Sequence, residues 1–394
     1  MKRSLAATAV VMTLAACSTD RTPPAAPPVA APSSVAPSSA PSPSSAAPST
    51  PPDCVTATLD GLNLTERVGQ LLMVGVSVDA PSGVADTLTR YRVGSFFLRG
   101  RSTRGAAALK SNIAALQKRS ELPMLVALDQ EGGSVQTLKG PDFPRLPSAL
   151  KLGSGSPATL RATTTDSARR LAAIGVNINL APVADTVPTS IGTKNPPIGA
   201  FRREFGSDPA KVATAIRTVV PASQGAGVLT VLKHFPGLGR VRVNTDTSTG
   251  ATDTTATAAD PYLTPFKAGI DAGSASVMIS SASYPKLDAT NIATFSKPII
   301  TGLLREKLGF KGLVISDDLG AARAVTGFTP AQRAVRFITA GGDLVLTIVP
   351  SDAAPMAGAL IAKAESDQTF RARVDDAARH VLETKQRAGL LRCG

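Results

Sequence analysis

The sequence predicts an α/β protein whose body is a (β/α)8 TIM-like barrel. Three observations point there. Eight short apolar runs recur between residues 70 and 348, helix-like segments separate several of them, and titratable residues gather where the runs end.

The runs are QLLMVGV (70–76), VGSFFLR (93–99), MLVALD (124–129), INLAPV (178–183), VLTVLKHF (228–235), SVMISS (276–281), GLVISDD (312–318) and DLVLTI (343–348). Each is rich in Val, Ile, Leu or Phe without clean alternation, as strands covered on both faces require. Segments 106–120, 157–174, 208–224 and 297–308 carry apolar residues at three-to-four spacing and are expected to be helices. A doubly wound open sheet is the runner-up, weakened because no glycine-rich phosphate turn follows the first run.

Ahead of the body, residues 1–16 read as a signal peptide. Lys2 and Arg3 precede the apolar stretch Leu5–Leu14, which is too short to span a membrane. The small residues before Cys17 look like the cleavage site of a bacterial lipoprotein, so Cys17 is the expected lipid-bearing terminus. Residues 17–52 are nearly all Pro, Ala, Ser and Thr and are expected to form a disordered tether. The barrel domain then covers 53–394. These features place the protein outside the cell, anchored to the outer face of the membrane through lipid. Of the remaining cysteines, Cys54 and Cys393 stand at the two ends of the body. In an exported protein such a pair is expected to form a disulfide, two free thiols being the alternative.

The formal net charge is +13, and Lys2 and Arg3 leave with the leader. The basic residues are scattered, aromatics make up only 4%, and no nucleic-acid module is visible, so attraction to an anionic envelope is the better reading. With two histidines and no His/Cys/Asp cluster at ligand spacing, neither a metal nor a cofactor is expected. A monomer is expected.

In a barrel, the C-terminal ends of the strands form the active rim. Run three ends in Asp129-Gln130-Glu131, run four leads to Asp185, run five ends in Lys233-His234, and run seven ends in Asp317-Asp318. Carboxylates converging on one rim, without a serine nucleophile turn, suit glycoside hydrolysis by a nucleophile and a proton donor.

The stretches "ALDQEGGSVQ" (127–136), "GVNINLAPVADT" (175–186), "REFGSDP" (203–209), "LKHFPGLG" (232–239), "SVMISSASYP" (276–285) and "GFKGLVISDDLG" (309–320) resemble family-three glycoside hydrolases, specifically the single-domain bacterial β-N-acetylglucosaminidases. The resemblance runs in order over the whole body. It implies a retaining exo-enzyme acting on N-acetylglucosamine-containing, peptidoglycan-derived glycans through a covalent glycosyl-aspartate. Asp317 matches the nucleophile, with Asp318 the competing candidate. Asp129, Arg203, Lys233 and His234 match residues that hold the sugar, although Arg202 would exchange with Arg203 if the loop shifted by one residue. Glu131 and Asp185 read as scaffold.

The pattern breaks on the loop after run five. Leu238 and the stretch Asn244-Thr245-Asp246 occupy the places where the family carries its proton-donating histidine motif. Ser134 and Thr137 stand at expected arginine positions, and Ser281 at a common histidine position. Three readings stay open: Asp246 is the acid/base, a neighbouring loop carboxylate such as Asp253 takes that role after a loop shift, or the donor is lost and the protein binds glycan without cutting it. A β-glucosidase of the same family is a further alternative.

Overall fold

In the computed structural model, residues 53–391 are described. The signal peptide, Cys17, the tether and Cys393 lie outside them. Cys54 is disulfide-bonded.

All eight expected strands form, as β1 (Leu72–Ser77), β2 (Ser95–Arg99), β3 (Leu125–Leu128), β4 (Ile178–Asn179), β5 (Leu229–Phe235), β6 (Ser276–Ile279), β7 (Leu313–Ser316) and β8 (Val345–Thr347). Neighbours in sequence pair in parallel from β1 through to β7, and β1 also pairs with β8. A bridge between Ile315 and Leu344, with Ser316 N donating to Leu344 O at 3.0 Å, closes the ring. The result is the (β/α)8 barrel.

The missing alternation now has its physical reason. Met73, Leu125, Ala127, Leu229, Val231, Leu313 and Ile315 fill the barrel interior. Their neighbours Val74, Val126, Leu128, Leu232 and Val314 pack outward against the helices. Both faces of each strand are dry, so both are apolar.

Three of the expected helices form as α-helices, Ala106–Gln117, Pro157–Ala173 and Pro209–Gln224. The last two begin with Pro in the first turn, after Ser156 and Asp208 whose side chains accept backbone amides as N-caps. The fourth, Pro298–Lys307, is wound as a π-helix instead. Its apolar pairs, Ile299-Ile300 and Leu303-Leu304, are all buried. Their four-residue spacing suits either winding, so spacing alone could not distinguish the two. Strand β4 is shorter than its apolar run because Pro182 has no amide to donate to a ladder. Only an isolated bridge, Val183 to Lys233, continues the pairing. No helix among the described residues is long and apolar enough to cross a membrane.

Candidate active site

A cavity of about 370 Å³ opens at the C-terminal end of the barrel. Asp129, Arg203, Lys233, His234, Asp246 and Asp317 all line it, although they come from five separate segments of the chain. Phe97, Leu180, Met278 and Leu346, from the barrel's inner cluster, supply its apolar floor.

Just past β3, Gln130–Gly132 pairs with Val135–Gln136 as a small hairpin. Gly132 and Gly133 turn it at φ of 100° and 59°, a region where a side chain is strained. This hairpin fixes Glu131, whose carboxylate accepts from Arg203 Nε at 2.8 Å and Arg203 Nη2 at 2.7 Å. Lys233 Nζ stands 2.5 Å from Glu131 Oε1 and 2.6 Å from Asp129 Oδ1. Burial acts to raise the Glu131 pKa, but the Arg203 and Lys233 charges hold it down at about 2. Burial likewise works against the Lys233 charge, yet Asp129 and Glu131 keep the ammonium protonated with a raised pKa. Arg203, Lys233 and Glu131 thus stay charged beside the cavity, with Asp129 in hydrogen-bond reach of Lys233, preorganised to exchange hydrogen bonds with sugar hydroxyls.

Asp185 is fully buried and works through His234. Its Oδ2 lies 2.7 Å from His234 Nδ1, and its Oδ1 accepts the Leu238 amide at 2.7 Å. Placing the ring proton on Nδ1 leaves Nε2 as an acceptor, 3.4 Å from Arg203 Nη2. Asp185 therefore sets both the imidazole and the start of the loop that follows β5.

That loop is pinned along its length. Asn195 Nδ2 donates to Leu238 O at 2.7 Å and to Val241 O at 2.9 Å, and the Tyr284 hydroxyl donates to Gly237 O at 2.9 Å. Gly239 packs so tightly that a Cβ would fall 1.8 Å from Thr186 O. Farther on, the amides of Arg323 and Ala324 donate to Asp246 O and Thr245 O at 3.2 and 3.0 Å. These bonds hold Asp246 over the cavity. Asp246 is exposed, yet the protein on its cavity side removes enough water that desolvation is the first cause raising its pKa to about 6. The charge of Asp317 is the second.

Asp253 stands differently. Its carboxylate accepts from Arg240 Nε at 2.7 Å, from the Thr255 amide at 2.8 Å and from the Thr255 hydroxyl. Although burial opposes this, the hydrogen bonds hold its pKa down, and it does not line the cavity. In this arrangement Asp253 anchors Arg240 rather than facing the cavity, so the geometry favours Asp246 over Asp253 as donor.

The two aspartates after β7 also separate. Asp318 accepts the amides of Gly320 and Ile348 at 2.9 Å and of Ala321 at 2.8 Å. Asp317 accepts only the Asp318 amide, at 2.9 Å, among the described residues, which leaves its remaining lone pairs toward the cavity. Arg203 lines the cavity while Arg202 does not, which settles the geometry of that ambiguous pair.

Sequence reasoning missed Arg99 and Arg101, which line the cavity where β2 ends. The strand-end rule that picked out runs three, four, five and seven would have found them. Among the described residues no group of three or more His, Cys, Asp or Glu could hold a metal.

The model of the glycosyl hydrolase family 3 N-terminal domain matches residues 63–384. A β-hexosaminidase of Xanthomonas oryzae pv. oryzae (strain KACC10331 / KXO85) is 32% identical over 295 residues, 71% of this chain and 84% of that protein. The crystal structure of a β-N-acetylhexosaminidase from Beutenbergia cavernae DSM 12333 superposes with a TM-score of 0.81 at 47% identity, covering 82% of this chain and 99% of that one. A family 3 β-N-acetylglucosaminidase from Paenibacillus sp. str. FPU-7 gives 0.77 at 28% identity over 85% of this chain and 64% of its own.

Proposed function

Because the chain belongs to glycosyl hydrolase family 3, and is thereby a glycoside hydrolase, we propose that it is a retaining exo-β-N-acetylglucosaminidase. The observation that carries this reading is the pair of unequal aspartates, Asp317 with most of its lone pairs free and Asp246 held near a pKa of 6.

The mechanism follows from their difference. The terminal sugar binds with its hydroxyls against Asp129, Lys233, Arg203 and His234 Nε2. The Asp317 carboxylate attacks the anomeric carbon as the glycosidic bond breaks, forming a glycosyl-aspartate ester. Asp246, protonated below pH 6, gives its proton to the departing oxygen. As a carboxylate it then takes a proton from water, which attacks the anomeric carbon and releases Asp317. Each step exchanges the protonation states of one acid, and two inversions retain configuration.

The names of the matched proteins support a hexosaminide substrate. The leader and Cys17 support export and lipid anchoring at the cell envelope, where peptidoglycan-derived glycans are the accessible substrate for a monomer. An acyl increment at Cys17 in the intact mass would support the anchor, and its absence would remove it.

Release of 4-nitrophenol from its β-N-acetylglucosaminide tests the activity, with NMR of the first-formed anomer testing retention. The Asp317→Ala variant should release none. If the wild-type protein hydrolyses none of several aryl glycosides, the glycan-binding alternative replaces the enzyme reading. Faster hydrolysis of the β-glucoside would replace the acetamido preference.

A further inference from the structure

Asn195 is completely buried, yet its carboxamide is fully satisfied. Nδ2 donates to Leu238 O at 2.7 Å and to Val241 O at 2.9 Å, and Oδ1 accepts the amides of Ile198 at 3.0 Å and Gly199 at 2.9 Å. A carboxamide has two donor hydrogens and two lone pairs, so nothing is left over. The reverse orientation would set its NH2 against two amides and its oxygen against two carbonyls, so the partners fix which way the group faces.

The two ends of this group serve different parts of the cavity. Through Oδ1, Asn195 holds the turn that runs to Gly199. Arg203 leans on that turn: its amide donates to Ile198 O at 3.2 Å and its Nη1 to Pro197 O at 2.8 Å, which leaves Nε and Nη2 for Glu131. Through Nδ2, Asn195 holds the loop that leads from His234 to Asp246. The Leu238 residue is gripped from both sides, its amide by Asp185 and its carbonyl by Asn195. Among the described residues no other side chain donates to Leu238 O or Val241 O. Arg240, between those two carbonyls, ion-pairs with both Asp253 and Asp260, so losing one carboxylate leaves it the other. Nothing duplicates Asn195 in that way.

We propose that Asn195, which does not itself line the cavity, is a positioning residue for both halves of the reaction. Its Oδ1 places Arg203 for the sugar, and its Nδ2 fixes where Asp246 delivers the proton. The Nδ2 half rests on the reading of Asp246 as donor. A reacting group misplaced by about 1 Å loses about 100-fold in rate, so a loop held through one amide group is felt at the glycosidic oxygen.

Asn195→Asp separates the two halves. It is isosteric and keeps an oxygen for the Ile198 and Gly199 amides, but turns a second oxygen on the Leu238 and Val241 carbonyls. On an alkyl β-N-acetylglucosaminide its kcat/KM should fall about 10–100-fold, and on the 4-nitrophenyl glycoside less than about threefold, because the acidic phenol needs little protonation. Asn195→Ser, neutral and too short to reach either loop, should show the same leaving-group dependence and lose the Arg203 half as well. Calorimetry with N-acetylglucosamine reads that half without turnover: Asn195→Asp should bind like wild type, and Asn195→Ser about tenfold more weakly. Melting curves set the assay temperature below each transition, and should the carboxylate block folding, Asn195→Ser decides alone.

A purely structural role predicts lower melting temperatures with equal losses on both glycosides and unchanged sugar affinity. That result, or wild-type kinetics and binding, overturns the proposal while Asp246→Ala keeps its leaving-group dependence. Equal losses in Asp246→Ala itself, or a wild-type protein that hydrolyses neither glycoside, would instead overturn the donor reading and the Nδ2 half with it, and calorimetry would still decide the Oδ1 half.

Discussion

The charge on Asp317 raises the pKa of Asp246, adding to the desolvation that is the larger cause, and the two together bring it to about 6. Two carboxylates sharing a cavity repel when both are charged, so the neighbouring Asp317 favours the protonated form of Asp246. This is the relation a nucleophile and a proton donor need.

The pH profile should follow. Turnover needs Asp246 protonated, so kcat/KM should fall as pH rises through about 6. Neutralising the neighbour in Asp317→Asn removes one of the raising causes, so the Asp246 carboxyl should titrate at lower pH. Carboxyl NMR of the two proteins measures this shift. An alkaline limb that persists in Asp246→Asn would assign it to another group.

Asp246→Ala should depend on the leaving group. Loss of a general acid costs about 10²–10⁴-fold where the departing oxygen needs protonation, and far less for an acidic phenol. Asp253→Ala should show no such dependence, because Asp253 anchors Arg240. Rates for 4-nitrophenyl and simple alkyl N-acetylglucosaminides compare the two. Equal losses for both leaving groups in Asp246→Ala would leave the donor elsewhere.

Asp317→Ala and Asp318→Ala should separate activity from stability. The first removes the acceptor of one amide and should abolish turnover with little change in melting temperature. The second orphans the Gly320, Ala321 and Ile348 amides and should cost about 1–3 kcal/mol, lowering the melting temperature. Calorimetric melting with 4-nitrophenol release reads both.

Lys385 is fully buried, and burial alone pushes its pKa down to about 7, with Gln70 Oε1 at 2.5 Å beside it. The unfolded chain therefore binds more protons than the folded one between pH 7 and the ordinary lysine value of 10.5. Stability should rise with pH across that window. Lys385→Met should melt higher than wild type at pH 7, with the gap narrowing toward pH 10.5. Parallel melting curves at all pH values would contradict this.

Much of this molecule could be read along the chain. Eight dry strands require eight apolar runs, and a parallel barrel puts every strand's C-terminal end on one rim. That rule gathered Asp129, Glu131, Asp185, Lys233, His234, Asp317 and Asp318 on one rim before any contact was known, and the family resemblance then singled out Asp129, Lys233, His234 and Asp317. The same local logic failed where partners come from distant segments. It could not see that Glu131 binds Arg203 and Lys233, or that the hairpin after β3 exists to hold it. Nor could it foresee the π-winding of Pro298–Lys307, since four-residue apolar spacing fits two helices.

The sequence by itself determined the barrel and the set of groups gathered at its mouth, because hydrophobic period and strand order are properties of the chain taken in sequence. Only the tertiary structure distinguishes the surroundings of Asp246 from those of Asp253, and of Arg203 from Arg202. Within each pair both residues have the same chemistry and nearly the same position on a loop. What separates them is electrostatic environment: Asp253 is neutralised by Arg240, while Asp246 is partly dehydrated and faces Asp317. A pKa depends on water and charge in three dimensions, and neither is written in local sequence.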